Sequence, residues 1–173
     1  DLHSFPTRRS SDLNLYEAFM LLATKKALAA ENIYLSNNST SIAPDTIKEL
    51  PIIIAADTIV YNGKIIGKPV GEEDAFNMLN ELRSKVHHVM TGVCILIPGT
   101  KRRRVFYEKT EVFFKDYSDD FLNEYVKTPE PYDKAGGYAI QGKFAKFVDH
   151  YNGDYDNVVG FPLQGFLKEV QKL

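Results

Sequence analysis

An α/β fold built on a mixed sheet is what the sequence predicts, and three observations predict it. Stretches with helical period and stretches with strand character alternate irregularly along the chain. No internal repeat divides it. Its 173 residues, 44% hydrophobic and 25% charged, suit one domain with a single substantial core. The formal net charge of −2 lacks the positive field that sequence-independent binding to a nucleic acid polymer needs. No apolar run approaches the roughly 18–20 residues of a membrane span. The first thirteen residues lack the apolar core of a secretory signal. The single cysteine, Cys94, has no internal disulfide partner and sits in the apolar run Val93-Cys94-Ile95-Leu96-Ile97. It reads as a small buried hydrophobe, and the expected compartment is the reducing cytoplasm.

Residues 1–13 show no hydrophobic period. The stretch His3-Ser4-Phe5-Pro6-Thr7-Arg8-Arg9-Ser10-Ser11-Asp12-Leu13 resembles one translated frame of a sequencing adapter, so the segment is read as a non-native tail. From Asn14 a helix is expected, with Leu15, Phe19, Leu22 and Lys26 on one stripe. A lysine closing an apolar stripe either snorkels from the core edge or points into a polar pocket. Residues 36–46 are rich in turn formers and read as a solvated loop.

Ile52-Ile53-Ile54-Ala55-Ala56 predicts a strand covered on both faces, ending at Asp57-Thr58. Asn62-Gly63 between two apolar runs predicts a hairpin, and Gly67-Lys68-Pro69 a loop. Residues 71–83 read as a helix with Ala75, Met78, Leu79 and Leu82 on one face. Residues 86–97 and 104–114 read as an antiparallel pair joined at Pro98-Gly99-Thr100, with Lys101-Arg102-Arg103-Arg104 as a solvated turn. A helix from Ser118 carries an N-cap, acidic first-turn residues, and Phe121, Leu122, Tyr125 and Val126 on one side. Pro129 and Pro131 end it. Residues 144–151 read as a strand and 163–172 as a closing helix.

Three polar islands interrupt this pattern. Asp57-Thr58 stands at the expected carboxyl end of a buried strand, where α/β sheets bind ligands. An ionised carboxylate there needs water, a partner or a metal, and the residues alone leave it open between a turn cap and a functional acid. Lys68, between a glycine and a proline, is placed to meet a phosphate as a point charge. Asp133-Lys134-Ala135-Gly136-Gly137-Tyr138-Ala139-Ile140-Gln141-Gly142 combines small residues, a cation and an amide, but without the spacing of a P-loop or a dinucleotide fingerprint. His87-His88 point to opposite faces of a strand and do not share a metal. Asp149-His150 lacks a nucleophile to complete a triad. Asp116, Asp119 and Asp120 fit a helix-start dipole.

Taken in order, these stretches resemble the Maf family of nucleoside triphosphate pyrophosphatases. The resemblance runs through Leu22-Ala23-Thr24-Lys25-Lys26-Ala27, Ala56-Asp57-Thr58-Ile59-Val60, Gly67-Lys68-Pro69 and His88-Val89-Met90-Thr91-Gly92-Val93. It continues in Thr110-Glu111-Val112-Phe113-Phe114, Tyr125-Val126, the 133–142 stretch and Asn157-Val158-Val159-Gly160-Phe161-Pro162-Leu163. It implies a mixed, twisted sheet flanked by helices, two lobes with a central cleft, and a homodimer. It also implies a nucleoside triphosphate substrate, with Asp57 as general base and ligand of a divalent metal cation, magnesium or manganese. Lys26, Lys68 and Lys134 would lie near the phosphates. Thr58 and Gln141 match positions that sort substrates, in the combination of the dTTP/UTP branch. The alternatives are a 7-methyl-GTP preference or a nucleotide-binding regulator of cell division. The family's Ser-x-Ser-Pro-Arg-Arg type loop has only a superficial echo in Pro6-Thr7-Arg8-Arg9-Ser10, too near Lys26, so no binding role is carried onto Arg8 or Arg9. Residues 14–173 are therefore expected to form a Maf-like domain without that loop, impaired in activity.

Overall fold

The computed structural model describes residues 10–38 and 51–173. Most of the expected loop at 36–46 and most of the set-aside tail fall outside the described residues. In chain order the elements are helix α1 (Ser10–Asn37), strands β1 (Ile53–Tyr61) and β2 (Ile65–Ile66), and helix α2 (Glu72–Leu82). Strands β3 (Val86–Leu96) and β4 (Arg103–Phe114) and helix α3 (Asp119–Tyr125) follow. Strand β5 (Val148–Asn152) and helices α4 (Tyr155–Val159) and α5 (Leu163–Val170) complete the chain. The strands form one five-stranded sheet in the order β2-β1-β3-β4-β5, and the pairings at its two edges are antiparallel. This is the α/β class the sequence predicts. Among the described residues no helix is long and apolar enough to cross a membrane.

Two compact units share the chain. The first comprises Asp1–Asp57, Gly92–Tyr107 and Lys172–Leu173; the second comprises Thr58–Thr91 and Glu108–Gln171. In the first, α1 packs through small residues: Ala23 and Ala27 meet Cys94 and Leu96, flanked by Ile53 and Ala55. Gly92 makes that approach possible. A Cβ there would stand 2.9 Å from both the Phe19 ring and the Phe19 carbonyl. Phe19 in turn meets Tyr107 edge-on at 5.9 Å. Among the described side chains the buried face of α1 is Phe19, Met20, Ala23 and Ala27. Of the predicted Leu15–Phe19–Leu22–Lys26 stripe Phe19 is buried, Leu22 and Lys26 are exposed, and the Leu15 side chain lies outside the described ones. Alanine allows the closest helix–strand approach but weighs little in a hydrophobic pattern, which is why the stripe is misread. The helix also begins at Ser10 rather than Asn14.

A second correction concerns the isoleucine run. Ile52 and Ile54 are 44% and 45% exposed, so only the Ile53 and Ala55 face is packed. Moreover β1 does not stop at Asp57-Thr58; it continues to Tyr61. Cys94 is fully buried, and burial raises its thiol pKa, which agrees with an inert core residue.

The second unit encloses the larger core. Leu79 and Leu82 of α2 and Val89 and Val112 of the sheet pack with Phe114, Tyr117, Leu122, Tyr125, Tyr138 and Phe144. The rings interlock edge-on, Phe114 with Tyr138 at 4.7 Å and Tyr125 with Phe144 at 4.7 Å. The Asn62-Gly63 hairpin is present: Tyr61 pairs with Ile65, leaving residues 62–64 as the loop, with Gly63 at φ 72°. Ser118 caps α3 by accepting the Phe121 N–H. The predicted strand at 144–151 is corrected in part. Residues 143–147 form a 3₁₀ turn that drops Phe144 into the aromatic core, and only 148–152 pair with β4. That pairing carries an irregularity between Phe113 and Phe114.

Candidate active site

The sequence-predicted residues fall into two groups, one in each unit. In the first unit the lysine that closes the misread stripe finds its purpose. Lys26 projects from α1 and its Nζ donates to Oδ1 of Asp57 on β1. The lysine side chain is 55% exposed and the aspartate 21%. An ion pair this open adds no more than about 1 kcal/mol to stability. Holding the fold is therefore a weak reason for it. Asp57 lies inside a strand and caps no turn, which removes the structural role that the residues alone left open.

Thr58 follows on the same strand, so its side chain takes the opposite face. Its hydroxyl is 2.9 Å from that of Thr91, a fully buried residue of β3 in the same unit. Lys68 is exposed on the loop after β2. Lys134 pairs with its neighbour Asp133 at 2.6 Å. That hydrogen bond holds the Asp133 carboxyl below the usual carboxylate range, and the Lys68 charge adds to the effect. Both cations thus act on one carboxylate, and the backbone explains why. The Gly136 N–H donates to the Gly67 carbonyl at 2.9 Å, fastening the Lys134 loop to the Lys68 loop.

The glycine pair in that loop is required by geometry. Gly136 and Gly137 both have positive φ, 76° and 73°. A Cβ on Gly136 would also stand 2.9 Å from Val60 of β1. Directly after the pair, Tyr138 turns into the core and meets His87 Nε2 at 2.6 Å. Burial, and then the neighbouring His88, depress the His87 pKa to about 3, so the ring is neutral. Its Nδ1 has no partner. If Nε2 carried the proton, the Tyr138 hydroxyl would also be left without an acceptor among the described residues. Tyr138 therefore donates to Nε2, and the His87 Nδ1–H is left without a partner. His88 on the other strand face meets Glu111 at 3.3 Å, so the two histidines diverge as predicted.

Gln141 is exposed at the far end of the loop. Two residues that the sequence reading missed hold this end. Glu130 Oε1 accepts the Lys143 N–H at 2.9 Å, and the single proton of the Tyr125 hydroxyl is shared between the Gly137 carbonyl at 3.1 Å and Glu130 Oε1 at 3.3 Å. A side chain on Gly142 would collide with the Glu130 carboxylate. In the sequence Glu130 is marked only by its place between Pro129 and Pro131, which restrict the chain around it but name no role. A third missed residue is Asn157, fully buried, whose amide donates to the Val89 carbonyl at 3.1 Å and the Thr110 hydroxyl at 3.0 Å. It ties α4 to two strands of the second unit. Asp149 and His150 pair with each other in the open, and no serine or cysteine joins them in any hydrogen bond among the described residues.

No group of three or more His, Cys, Asp or Glu that would hold a metal by itself exists among the described residues. Asp57 contributes one carboxylate. A single carboxylate suits a hard cation only if that cation brings most of its ligands with it, as phosphate oxygens and water.

Known proteins are similar to this chain along most of its length. The family model described as Maf-like protein matches residues 6–173. A protein of Geobacillus sp. named dTTP/UTP pyrophosphatase is 44% identical over 158 residues, covering 91% of this chain and 76% of that protein. One of the same name from Caldicellulosiruptor bescii is 41% identical over 162 residues, 93% of this chain and 76% of the relative. Another from Alkaliphilus oremlandii is 47% identical over 112 residues, 65% of this chain and 58% of its own length.

Proposed function

Since the chain belongs to the Maf family, we infer that it hydrolyses dTTP and UTP to the monophosphate and pyrophosphate, with Asp57 as the base. The observation that carries the reading is the Lys26–Asp57 ion pair, a carboxylate within a strand that meets an ammonium from α1 and caps no turn. The names of the 41–47% identical relatives supply the substrate class.

The chemistry follows from the residue types. Cleaving the anhydride between the α and β phosphates needs a water whose proton is removed as its oxygen attacks phosphorus, and positive charge on the pyrophosphate that leaves. Asp57 accepts that proton. Lys26 pairs with Asp57; a bound triphosphate would offer it phosphate oxygens instead, which would free the carboxylate for the water. Lys68 and Lys134, on loops fastened through Gly67 and Gly136, supply two ammonium groups of the kind a phosphate needs. A magnesium or manganese ion carried by the phosphates would be held on the protein side by Asp57. It would add positive charge and acidify a bound water. Thr58 and Gln141 supply a hydroxyl and an amide. An amide both donates and accepts, as reading a pyrimidine edge requires.

A panel of dTTP, UTP, 7-methyl-GTP and the four common ribonucleotides, followed by pyrophosphate release, tests the assignment. Turnover highest on dTTP and UTP is expected. Release of single phosphate instead of pyrophosphate, or a preference for 7-methyl-GTP, would overturn it.

A further inference from the structure

Lys134 and Gln141 occupy the two ends of one loop, and reading a nucleoside triphosphate demands that the distance between them be constant. If the amide drifts relative to the cation, a purine and a pyrimidine on the same triphosphate are no longer told apart. Yet the loop passes through two positive-φ glycines and ends at an exposed side chain, features that by themselves leave its span loose.

We propose that Glu130, acting with Tyr125, is the positioning clamp that sets base selectivity by fixing Gln141 relative to Lys134. This rests on the reading above, in which Lys134 faces phosphate and Gln141 the base. Tyr125 is buried in the aromatic core, and its hydroxyl reaches the loop at Gly137, three residues past Lys134. Glu130 reaches it at Lys143, two residues past Gln141, with its carboxylate filling the space that a Gly142 side chain would need. The hydroxyl and carboxylate also meet each other. The loop is therefore gripped near both ends by two groups in mutual contact. Prolines on either side of Glu130 restrict its backbone, and a turn closed by the Tyr132 N–H donating to the Pro129 carbonyl at 3.4 Å holds it beside the loop. Burial, then the Glu130 charge, raise the Tyr125 pKa, so the hydroxyl keeps its proton as donor. Neither residue is required to touch substrate.

Calorimetric dissociation constants for dTTP, GTP and inorganic tripolyphosphate, measured on the full chain, test the clamp. Tripolyphosphate has no base and reports the phosphate end alone. In Glu130→Ala the preference for dTTP over GTP falls about tenfold, equivalent to about 1.4 kcal/mol, while tripolyphosphate affinity stays within about twofold. Glu130→Gln keeps an oxygen to accept the Lys143 N–H and retains the preference. Tyr125→Phe keeps the ring in the core and loses part of it, so a folded variant is at hand even if Glu130→Ala unfolds. An unchanged preference in Glu130→Ala and Tyr125→Phe overturns the clamp alone. So does a parallel loss of tripolyphosphate affinity, which would mark a general structural role. A wild-type chain that binds tripolyphosphate but does not prefer dTTP overturns the base-reading assignment itself.

Discussion

In the first unit, Lys26 meets Asp57 from a helix held down by alanines, and a single contact joins the two side chains. In the second, Lys134 and Gln141 belong to a loop pinned by a glycine–glycine hydrogen bond, two tyrosines, a buried histidine and a glutamate between prolines. The contrast separates two demands. A base must exchange partners during a turnover, so a lone, solvated ion pair suits it. A binding surface must keep its shape between turnovers, and redundant anchoring suits that. Substitutions in the first unit's pair should therefore alter rate with little effect on stability, whereas those in the second unit's anchors should alter stability and affinity.

The largest stability effect expected comes from His87. Its folded pKa of about 3 lies below the ordinary 6.5. Below about pH 6.5 the unfolded chain takes up a proton that the folded chain refuses, so stability is full above that pH and declines as pH falls toward 3. The loss is about 1.4 kcal/mol per pH unit, on the order of 3 kcal/mol by about pH 4.5. Urea unfolding across this range should show His87→Gln with a shallower acid decline than wild type. Parallel curves would mean that the ring titrates normally in the folded chain.

Next in size is Gly136→Ala, which places a Cβ at positive φ and against Val60. It should cost about 2 kcal/mol in chemical denaturation and weaken nucleotide binding, since the Lys68 and Lys134 loops are joined there. Loss of stability without loss of affinity would separate the fastening from the site. Lys68→Ala and Lys134→Ala should each raise KM about tenfold with kcat nearly constant, the signature of lost uniform binding. A fall in kcat alone from either would place that lysine at the reacting centre. Smallest, Ser118→Ala removes the cap of α3 and should lower stability by about 1 kcal/mol, with no change in KM, as thermal melting and steady-state kinetics would show.

What was legible in the sequence was what local chemistry decides. Asn62-Gly63 demands its turn and Ser118 its helix start whatever surrounds them. The alternation of His87 and His88 follows from strand geometry alone. The reading failed where a neighbour decides. Ala23 and Ala27 are buried because Gly92 lets the helix come close, and nothing local marks an alanine as core. Ile52 and Ile54 look buried by composition but face an unpacked side. Phe144 leaves its expected strand because the aromatic core captures it. At the site, Asp57 and the lysines were visible as charges that packing does not require. Glu130, Tyr125 and Asn157 were not, because each acts by hydrogen bonds to distant backbone, and an acid between prolines or a tyrosine on a helix has many ordinary explanations.

The most direct measurement is pyrophosphate release from dTTP by Asp57→Asn, with nucleotide affinity determined on the same preparation. The substitution keeps the side chain's shape and removes its basicity. A fall in kcat of about 10³-fold, with the dissociation constant changed by no more than a few fold, is the predicted result. Turnover near that of the unsubstituted chain would show that another group takes the proton, and that the ion pair on β1 is only a surface contact.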